Sequence, residues 1–514
     1  MRPSGAAGRL FEAFSQIAAR AFVDDRLLSC QTLCKGPDQG QALRRFVLRE
    51  PPKRTGLVRL FLLAARYIAA NTLHFCFMLL TALFARLHGW QSPLALRPEE
   101  TKPLLLIDTF AVLPRVAADN AWKDLYLPGL AQTAHEQGQR PLTLYRLYGS
   151  RSPFTLWQAL GVLAHSGPGL LETHLLAPAD WLRLARHILL YPLSLLRLVR
   201  SLDGAAPDAP ERYIREALID TAGQCVLVGE ARRLAAFRLG LTLERGAHIV
   251  SWYENQSVNK AFNRGLSQAK AQCGRHVPVT GAQLFLWPPA LLNNQADDAE
   301  VALGLTPDRV LVNGPHFLPV SSCQDYAVGP SLRYAHLFAD KKKEPRSDSG
   351  SLLVLLSYHP EENRRVLDLT RNLSAGPFAA QDMIFRFHPA TCPGDYADLL
   401  PREPRLSTGP LAEALAGATA VMGAGSGALA EAAALGLPVL AIVDEHPELG
   451  LNYLPPFGKG LLWESAGTPQ QAATALRALL DRLDEPDRDR AVLTFRDLLF
   501  TRPTPELLAD LVKR

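Results

Sequence analysis

From residue 102 onward, unbroken apolar runs alternate with segments whose apolar residues recur at helical spacing. "KPLLLIDTF" (102–110) predicts a first buried strand, "KDLYLPGLAQTAHEQG" a polar-faced helix and "RPLTLYRLYG" a second strand. Gly138 supplies the helix stop and short loop that a strand–helix–strand unit needs. The alternation continues through a strand at 247–255, a helix at 257–272 and strands at 276–283 and 309–314. "DKKKEPRSDSG" (340–350) is polar, with proline and glycine and no apolar anchor, and reads as a linker. Beyond it come "SLLVLLSYHP", "MIFRFHP", "TAVMGAG" and "LPVLAIVDE" as strands, with "EENRRVLDLTRNL", "PLAEALAGA" and "GALAEAAALG" as helices. Continuous apolar strands between helices predict parallel sheets covered on both faces. The expected fold class is α/β, with two Rossmann-like domains facing a cleft. The expected layout is a helical region at 1–100, a first α/β domain at 101–339, a linker at 340–350, a second α/β domain at 351–490 and C-terminal helices at 491–514.

The first hundred residues differ. "GLVRLFLLAARYIAANTLHFCFMLLTALFARL" (56–87) contains nineteen residues, Tyr67 to Ala85, without Asp, Glu, Lys or Arg. As a helix that stretch is about 28 Å long, close to the ~30 Å of a hydrocarbon core. Asn71, Thr72 and His74 interrupt it, and Arg59 and Arg66 precede it. "DWLRLARHILLYPLSLLRLVRSL" (180–202) sets Arg183, Arg186, Arg197 and Arg200 among leucines. Basic residues beside apolar ones at helical spacing mark a helix lying at a membrane surface. Packing into a protein core is the other reading. The expectation is peripheral membrane contact rather than a span.

Composition narrows the function classes. The 514 residues carry 55 Lys and Arg against 50 Asp and Glu, a net charge of +5, with no extended basic stripe, zinc-finger or RNA-binding signature. No nucleic-acid partner is expected. The seven cysteines are scattered, which suits a reducing compartment; Cys30 and Cys34 face no second ligand pair and read as ordinary thiols. "MRPSGAAGRLFEAF" lacks the apolar core and cleavage site of a secretory signal.

In a parallel sheet the carboxyl ends of the strands carry the ligand site. His359-Pro360, His388-Pro389, the turn Gly423 to Gly427 and Asp444 all fall at such ends. The glycine turn lets backbone approach a ligand and aims N–H groups at it, which suits phosphate; tight packing is the alternative. Gly425, Ser426 and Gly427 are the candidate phosphate contacts, with Ser426 as donor or simple helix cap. It is not a Walker A motif, because no Gly-Lys-Ser/Thr follows. His388 can give a proton to a leaving phosphate. Glu431, one and a half turns on, can accept from ribose hydroxyls or stand on a solvated face. In the first α/β domain, Asp108, Glu230 and Glu254 are placed at strand ends as candidate general bases, with Glu254 slightly preferred because Asn255, Gln256 and Asn259 follow it. Glu254 and Asp108 could each instead cap a helix. No DxD cluster with apolar flanks appears, so no metal is expected, and no cofactor beyond the substrate itself.

The strand-terminal His388-Pro389, the turn around Ser426 and the run "EAAALGLPV" (431–439) together resemble bacterial GT-B glycosyltransferases of surface-polysaccharide assembly. The similar groups are the sialyl-, polysialyl- and Kdo-transferases and the CDP-glycerol glycerophosphotransferases. The resemblance covers roughly residues 100–480. It implies a nucleotide-sugar donor, most simply a CMP-sugar, with His388, Ser426 and Gly427 at its phosphate and Glu431 near its ribose. It implies an oligosaccharide or lipid-linked acceptor held by the first domain and a metal-independent, inverting transfer. Those families carry two adjacent Ser or Thr in the turn, whereas here Ser426 stands alone. Three other classes remain open: a CDP-glycerol-type transferase, an epimerase or hydrolase of nucleotide sugars, and a non-catalytic membrane assembly factor.

Overall fold

A computed structural model describes residues 5–36, 41–51, 57–90, 102–243, 246–288, 291–320, 322–339, 350–371, 373, 382–389, 391–444 and 446–512. Nearly all of the expected linker, 340–349, lies outside them.

Two all-parallel sheets form. The first contains β1 (Leu104–Val112), β2 (Arg140–Tyr148), β3 (Gly169–Leu171), β4 (His248–Tyr253), β5 (Val279–Gln283), β6 (Arg309–Val312) and β7 (Asp325–Val328), in the order β3-β2-β1-β4-β5-β6-β7. The second contains β8 (Leu352–Leu355), β9 (Met383–Arg386), β10 (Arg405–Leu406), β11 (Ala420–Gly423), β12 (Val439–Ile442) and β13 (Trp463–Ala466), in the order β10-β9-β8-β11-β12-β13. The central strands β4, β8, β11 and β12 are buried along their whole length. This burial on both faces is why they read as unbroken apolar runs. The expected helix in 123–138 shrinks to Leu130–Glu136. Pro128 removes a backbone donor and Gly129 takes a left-handed φ of 78°, so no helix runs through them.

The N-terminal helices are built into the first α/β unit. Phe14, Ile17, Phe22 and Leu28 share a core with Tyr191, Leu195, Tyr213 and Ile214. Helix Leu57–Leu87 lies along this body: Tyr67, Asn71, Met78, Thr81 and Ala85, spaced by three, four or seven residues, are buried in one stripe. Asn71 explains one interruption of the apolar run. Its Oδ1 accepts from the backbone N–H groups of Val226 and Leu227, each at 3.0 Å, and so caps helix Leu227–Thr242. Much of the remaining surface of Leu57–Leu87 is apolar and exposed, including Phe61, Ile68, Leu73 and Leu83. The helix is long and apolar enough to cross a membrane. The neighbouring helix Pro178–Ser201 exposes Leu182, Leu189 and Leu193 beside Arg183, Arg186, Arg197 and Arg200.

The two sheets share an apolar core in which Tyr253, Leu286, Trp287 and Phe317 meet Leu353, Leu429, Phe495 and Leu499. Helix Arg488–Leu499 packs on the second sheet's helices, and the chain then returns to the first. Ser331 N–H donates to Thr501 O at 3.0 Å, and Thr501 N–H donates to Ser331 Oγ at 2.9 Å. Helix Pro505–Val512 finishes against the first sheet, with Leu511 and Val512 beside Leu105 and Ile107.

Candidate functional site

In the second sheet β9, β8 and β11 are neighbours, so the groups after them converge. His388 follows β9, His359 follows β8, and the Gly423–Gly427 turn follows β11. The Tyr358 ring lies between the imidazoles, 4.0 Å from His359 and 5.5 Å from His388, centroid to centroid. Asn363 fixes the loop after β8: its Oδ1 accepts from Ser357 N–H at 2.7 Å and its Nδ2 donates to Ser357 O at 2.8 Å. Burial lowers the pKa of His388, and the charge of Arg333 lowers it further. Burial, then His388, does the same to His359. Both rings are therefore neutral near pH 7, able to donate from one nitrogen and accept at the other.

The glycine turn has a definite requirement at one position. Gly425 has a φ of 56°, and a Cβ there would sit 1.9 Å from Glu362 Oε2. Gly427, by contrast, has a φ of −62° and room for a Cβ, so its role does not rest on sterics. Ser426 Oγ accepts from Ala428 N–H at 3.4 Å, as a weak cap of the seven-residue helix Ala428–Ala434. The turn was expected to present itself to a ligand phosphate; the group standing against Gly425 is the Glu362 carboxylate, itself held by Ser357 Oγ at 3.0 Å. The space beside it is bounded by Glu362, Arg365, Gly425 and Asp444. Glu431 is buried, and its Oε2 lies 3.1 Å from Nε2 of His336, a residue of the segment that follows the first sheet. Asp444 pairs with Arg365 and accepts from His446 N–H at 3.0 Å.

On the first sheet the three candidate carboxylates separate. Glu254 follows β4 and is half-buried, with Gln256 Nε2 donating to its Oε2 at 2.6 Å. The next residue, Asn255, has a φ of 51°, a conformation asparagine tolerates better than most residues. Asn259 ties the turn together, its Nδ2 donating to Trp252 O at 2.7 Å and its Oδ1 accepting from Gln256 N–H at 3.1 Å. Asn255 and Asn259 are thus buried parts of the scaffold and do not rim a sugar surface as the sequence suggested. Asp108 has no exposed surface; it pairs with the equally buried Arg232 and accepts from Ser251 Oγ at 2.6 Å. Glu230 is not at a strand end at all. It lies in helix Leu227–Thr242, gripped by Arg233 at 2.7 and 2.9 Å.

Two arginines that sequence reasoning passed over stand here. The Arg333 guanidinium stacks on Phe285 at 4.2 Å and Tyr126 at 5.5 Å. Its Nη1 is closed to solvent without a hydrogen-bond partner. Its field reaches His388 on one sheet and Tyr126 on the other, and Tyr126 also feels Glu254. Arg333 thus acts on groups beside both sets of strand ends. Arg146, near the carboxyl end of β2, lies against Phe110 and Trp252, 4.6 Å from each ring centre. The available signal was a lone charge in an otherwise apolar strand, "PLTLYRLY". Nothing comparable marks Arg333. Cys30 and Cys34 are buried and outside any disulfide, and among the described residues no three His, Cys, Asp or Glu side chains converge as a metal site.

No family model matches the chain, and no curated protein matches it. Among solved structures it is similar to the UDP co-structure of S. aureus MnaA, with 10% identity, a TM-score of 0.44 and coverage of 80% of this chain and 95% of that one. It is also similar to the glycotransferase of kitacinnamycin, with 12% identity, a TM-score of 0.42 and coverage of 80% and 98%. A third is the putative UDP-N-acetylglucosamine 2-epimerase from Listeria monocytogenes, with 11% identity, a TM-score of 0.41 and coverage of 80% and 94%.

Proposed function

We propose that this chain is a metal-independent glycosyltransferase that moves a sugar from a nucleotide donor on the second sheet to an acceptor on the first. The observation that carries this reading is a pair of strand-end clusters linked by one cation: His388 and His359 beside the glycine turn on the second sheet, Glu254 on the first, and Arg333, which acts on His388 and, together with Glu254, on Tyr126. The division of labour follows from the chemistry. Loss of a nucleotide leaves negative charge on a phosphate oxygen, and the groups able to meet it are the Arg333 cation and the neutral His388 N–H. The acceptor hydroxyl must lose a proton as it attacks, and Glu254 is the partly exposed carboxylate at the facing strand ends. Asp108, buried against Arg232, is placed to hold β1 and helix Leu227–Thr242 together. Ser426, Gly425 and Gly427 are proposed to approach the donor phosphate once Glu362 yields, and Glu431 to meet the ribose on release from His336. With Glu254 as base and attack opposite the leaving group, the transfer inverts the sugar carbon. A cytidine nucleotide and a lipid-linked or oligosaccharide acceptor of surface polysaccharide are the substrates proposed from the motif resemblance.

The reading includes attachment to the cytoplasmic face of a bacterial inner membrane, where lipid-linked acceptors would be reached. Helix Leu57–Leu87 is held against the protein along a buried stripe, which argues for lying in the surface rather than crossing it. The exposed leucines and arginines of Pro178–Ser201 give that surface both apolar and cationic contacts.

A titration with CMP, CDP, UDP and GDP, read by thermal shift, tests the donor half. A nucleotide at ~100 times its dissociation constant adds about 2.7 kcal/mol of stability. Binding of one nucleotide, weakened by Ser426→Phe with an unchanged ligand-free melting temperature, is the expected result. Stabilisation by none of the four would overturn the reading, and equal loss of binding and fold in Ser426→Phe would make the turn purely structural.

A further inference from the structure

Arg146 and Arg232 are neighbours in charge but opposites in use. Arg232 is completely committed: Nε donates to Val258 O at 3.1 Å, and its two terminal nitrogens go to Glu172 and Asp108. Arg146 makes no hydrogen bond and no ion pair with any group of the described residues, and its Nη1 is buried without a partner. Its contacts are the Phe110 and Trp252 rings, which hold the guanidinium by cation–π attraction and leave its N–H donors unspent. Burial, and then repulsion from Arg232, bring its pKa down to about 10, so it is still a cation at neutral pH. Carboxylates at Asp108, Glu172 and Glu254 act on it from a distance, but the sealed Nη1 has no partner, and a buried donor of this kind is characteristically kept where a ligand completes it.

Its position says which ligand. Arg146 stands near the carboxyl end of β2, a strand of the first sheet, in the field of Glu254. The aromatic wall continues from Phe110 to Tyr126 at 5.2 Å and to the exposed Tyr148 at 6.3 Å, offering flat apolar faces beside the charge. Building on the transferase reading, we infer that the acceptor is anionic: it carries a carboxylate or phosphate that the Arg146 guanidinium grips in two-point fashion while the attacking hydroxyl is presented to Glu254. Guanidinium groups pair with either oxyanion through two parallel N–H bonds, and such charge-assisted pairs are about twice as strong as neutral ones. A neutral glycan would leave the cation unpaired, so the site discriminates against it.

Isothermal titration with three probes decides the matter: methyl glucuronide, glucose 1-phosphate and the neutral methyl glucoside, each with UDP or CMP present to fill the donor side. At least one anionic probe should bind about tenfold or more tightly than the glucoside, a difference of about 1.4 kcal/mol. Preference for the glucuronide identifies an acidic sugar as the anion source; preference for glucose 1-phosphate identifies a phosphate-linked acceptor. Arg146→Met should abolish the preference with nucleotide affinity unchanged, and Arg146→Lys should keep part of it. Equal binding of all three probes by the native protein overturns the inference even if Arg146→Met does not fold, and so does a preference that survives in Arg146→Met. Failure of every nucleotide to bind sinks the transferase reading instead, and the three-probe comparison on the nucleotide-free protein still judges the anion site by itself.

Discussion

Asp108→Asn separates a chemical role from a structural one. In the native protein the Asp108 carboxylate is wholly buried and neutralises Arg232, which is 1% exposed. The substitution keeps the shape and one acceptor oxygen but removes the charge. Arg232 retains Glu172, yet that carboxylate is 22% exposed and shares its field with water. Breaking a buried ion pair from one side costs about 3–5 kcal/mol, because the other charge stays behind uncompensated. The surviving Glu172 contact argues for the lower end, about 3 kcal/mol. At roughly 2–4 °C per kcal/mol for a domain of about 200 residues, the melting temperature should fall by about 6–12 °C. Differential scanning calorimetry reads this directly, with Arg232→Met and the double variant completing a cycle. The double variant should be less damaged than the sum of the singles, since each single leaves a charge that the double removes. Transfer measured well below the new melting temperature should survive. A variant with native melting temperature and no transfer would refute the argument and make Asp108 the base.

Glu254→Gln should reduce transfer by ~10² or more with nucleotide affinity and melting temperature nearly intact, and full activity in single-turnover assays would remove Glu254 from the mechanism. His388→Ala should weaken nucleotide binding, and native affinity should tighten as pH falls toward 6, because phosphate favours the imidazolium that burial and Arg333 disfavour; calorimetry in buffers of different ionisation enthalpy would show the proton uptake. His248, 3% exposed, has its pKa pressed down to about 4, chiefly by burial. The unfolded chain, protonating near 6.5, therefore takes up protons first; stability is complete above that pH and declines below it, by about 2 kcal/mol at pH 5 from this residue. A His248→Gln protein whose urea midpoint shows the same pH 7-to-5 decline as native would contradict this. Leu189→Glu with Leu193→Glu should lower flotation with phosphatidylglycerol vesicles without changing the melting temperature, whereas undiminished flotation would detach this face from the membrane reading.

The sheets were legible because their central strands are buried on both faces, and double burial writes itself as a continuous apolar run in "LLVLL" or "PVLAI". Edge strands β3, β7 and β10 left no such trace, being short or half-exposed. The strand-end histidines were legible for the same reason as the strands: a polar residue before proline stops the run. Charge partners were not. Nothing near Asp108 in sequence announces Arg232, 124 positions away, and nothing near Glu230 distinguishes a strand end from the first turn of a helix. The asparagines after Glu254 looked like ligand-facing polar groups because a side chain that satisfies buried backbone has the same identity as one that binds a sugar. Arg333 was invisible because its meaning comes from rings at 126 and 285, brought together only by the first sheet.

The doubled crossing at Ser331 and Thr501 has a mechanical consequence. A body joined to another by one strand of chain can swivel about many axes; two strands stitched side by side restrict it to something closer to a door on a pin. The space beside Gly425 is walled by Glu362, Arg365 and Asp444, so a swing of that door or a shift of those side chains changes what the turn can reach. Arg333 and His336 sit two and five residues from the pin at Ser331. At so short a lever arm even a generous swing displaces them little, while the rim of the opposite sheet travels far. His336 would lose Glu431 as a latch loses its keeper, and Arg333 would stay almost where it is, a fixed positive post around which the two walls open and shut.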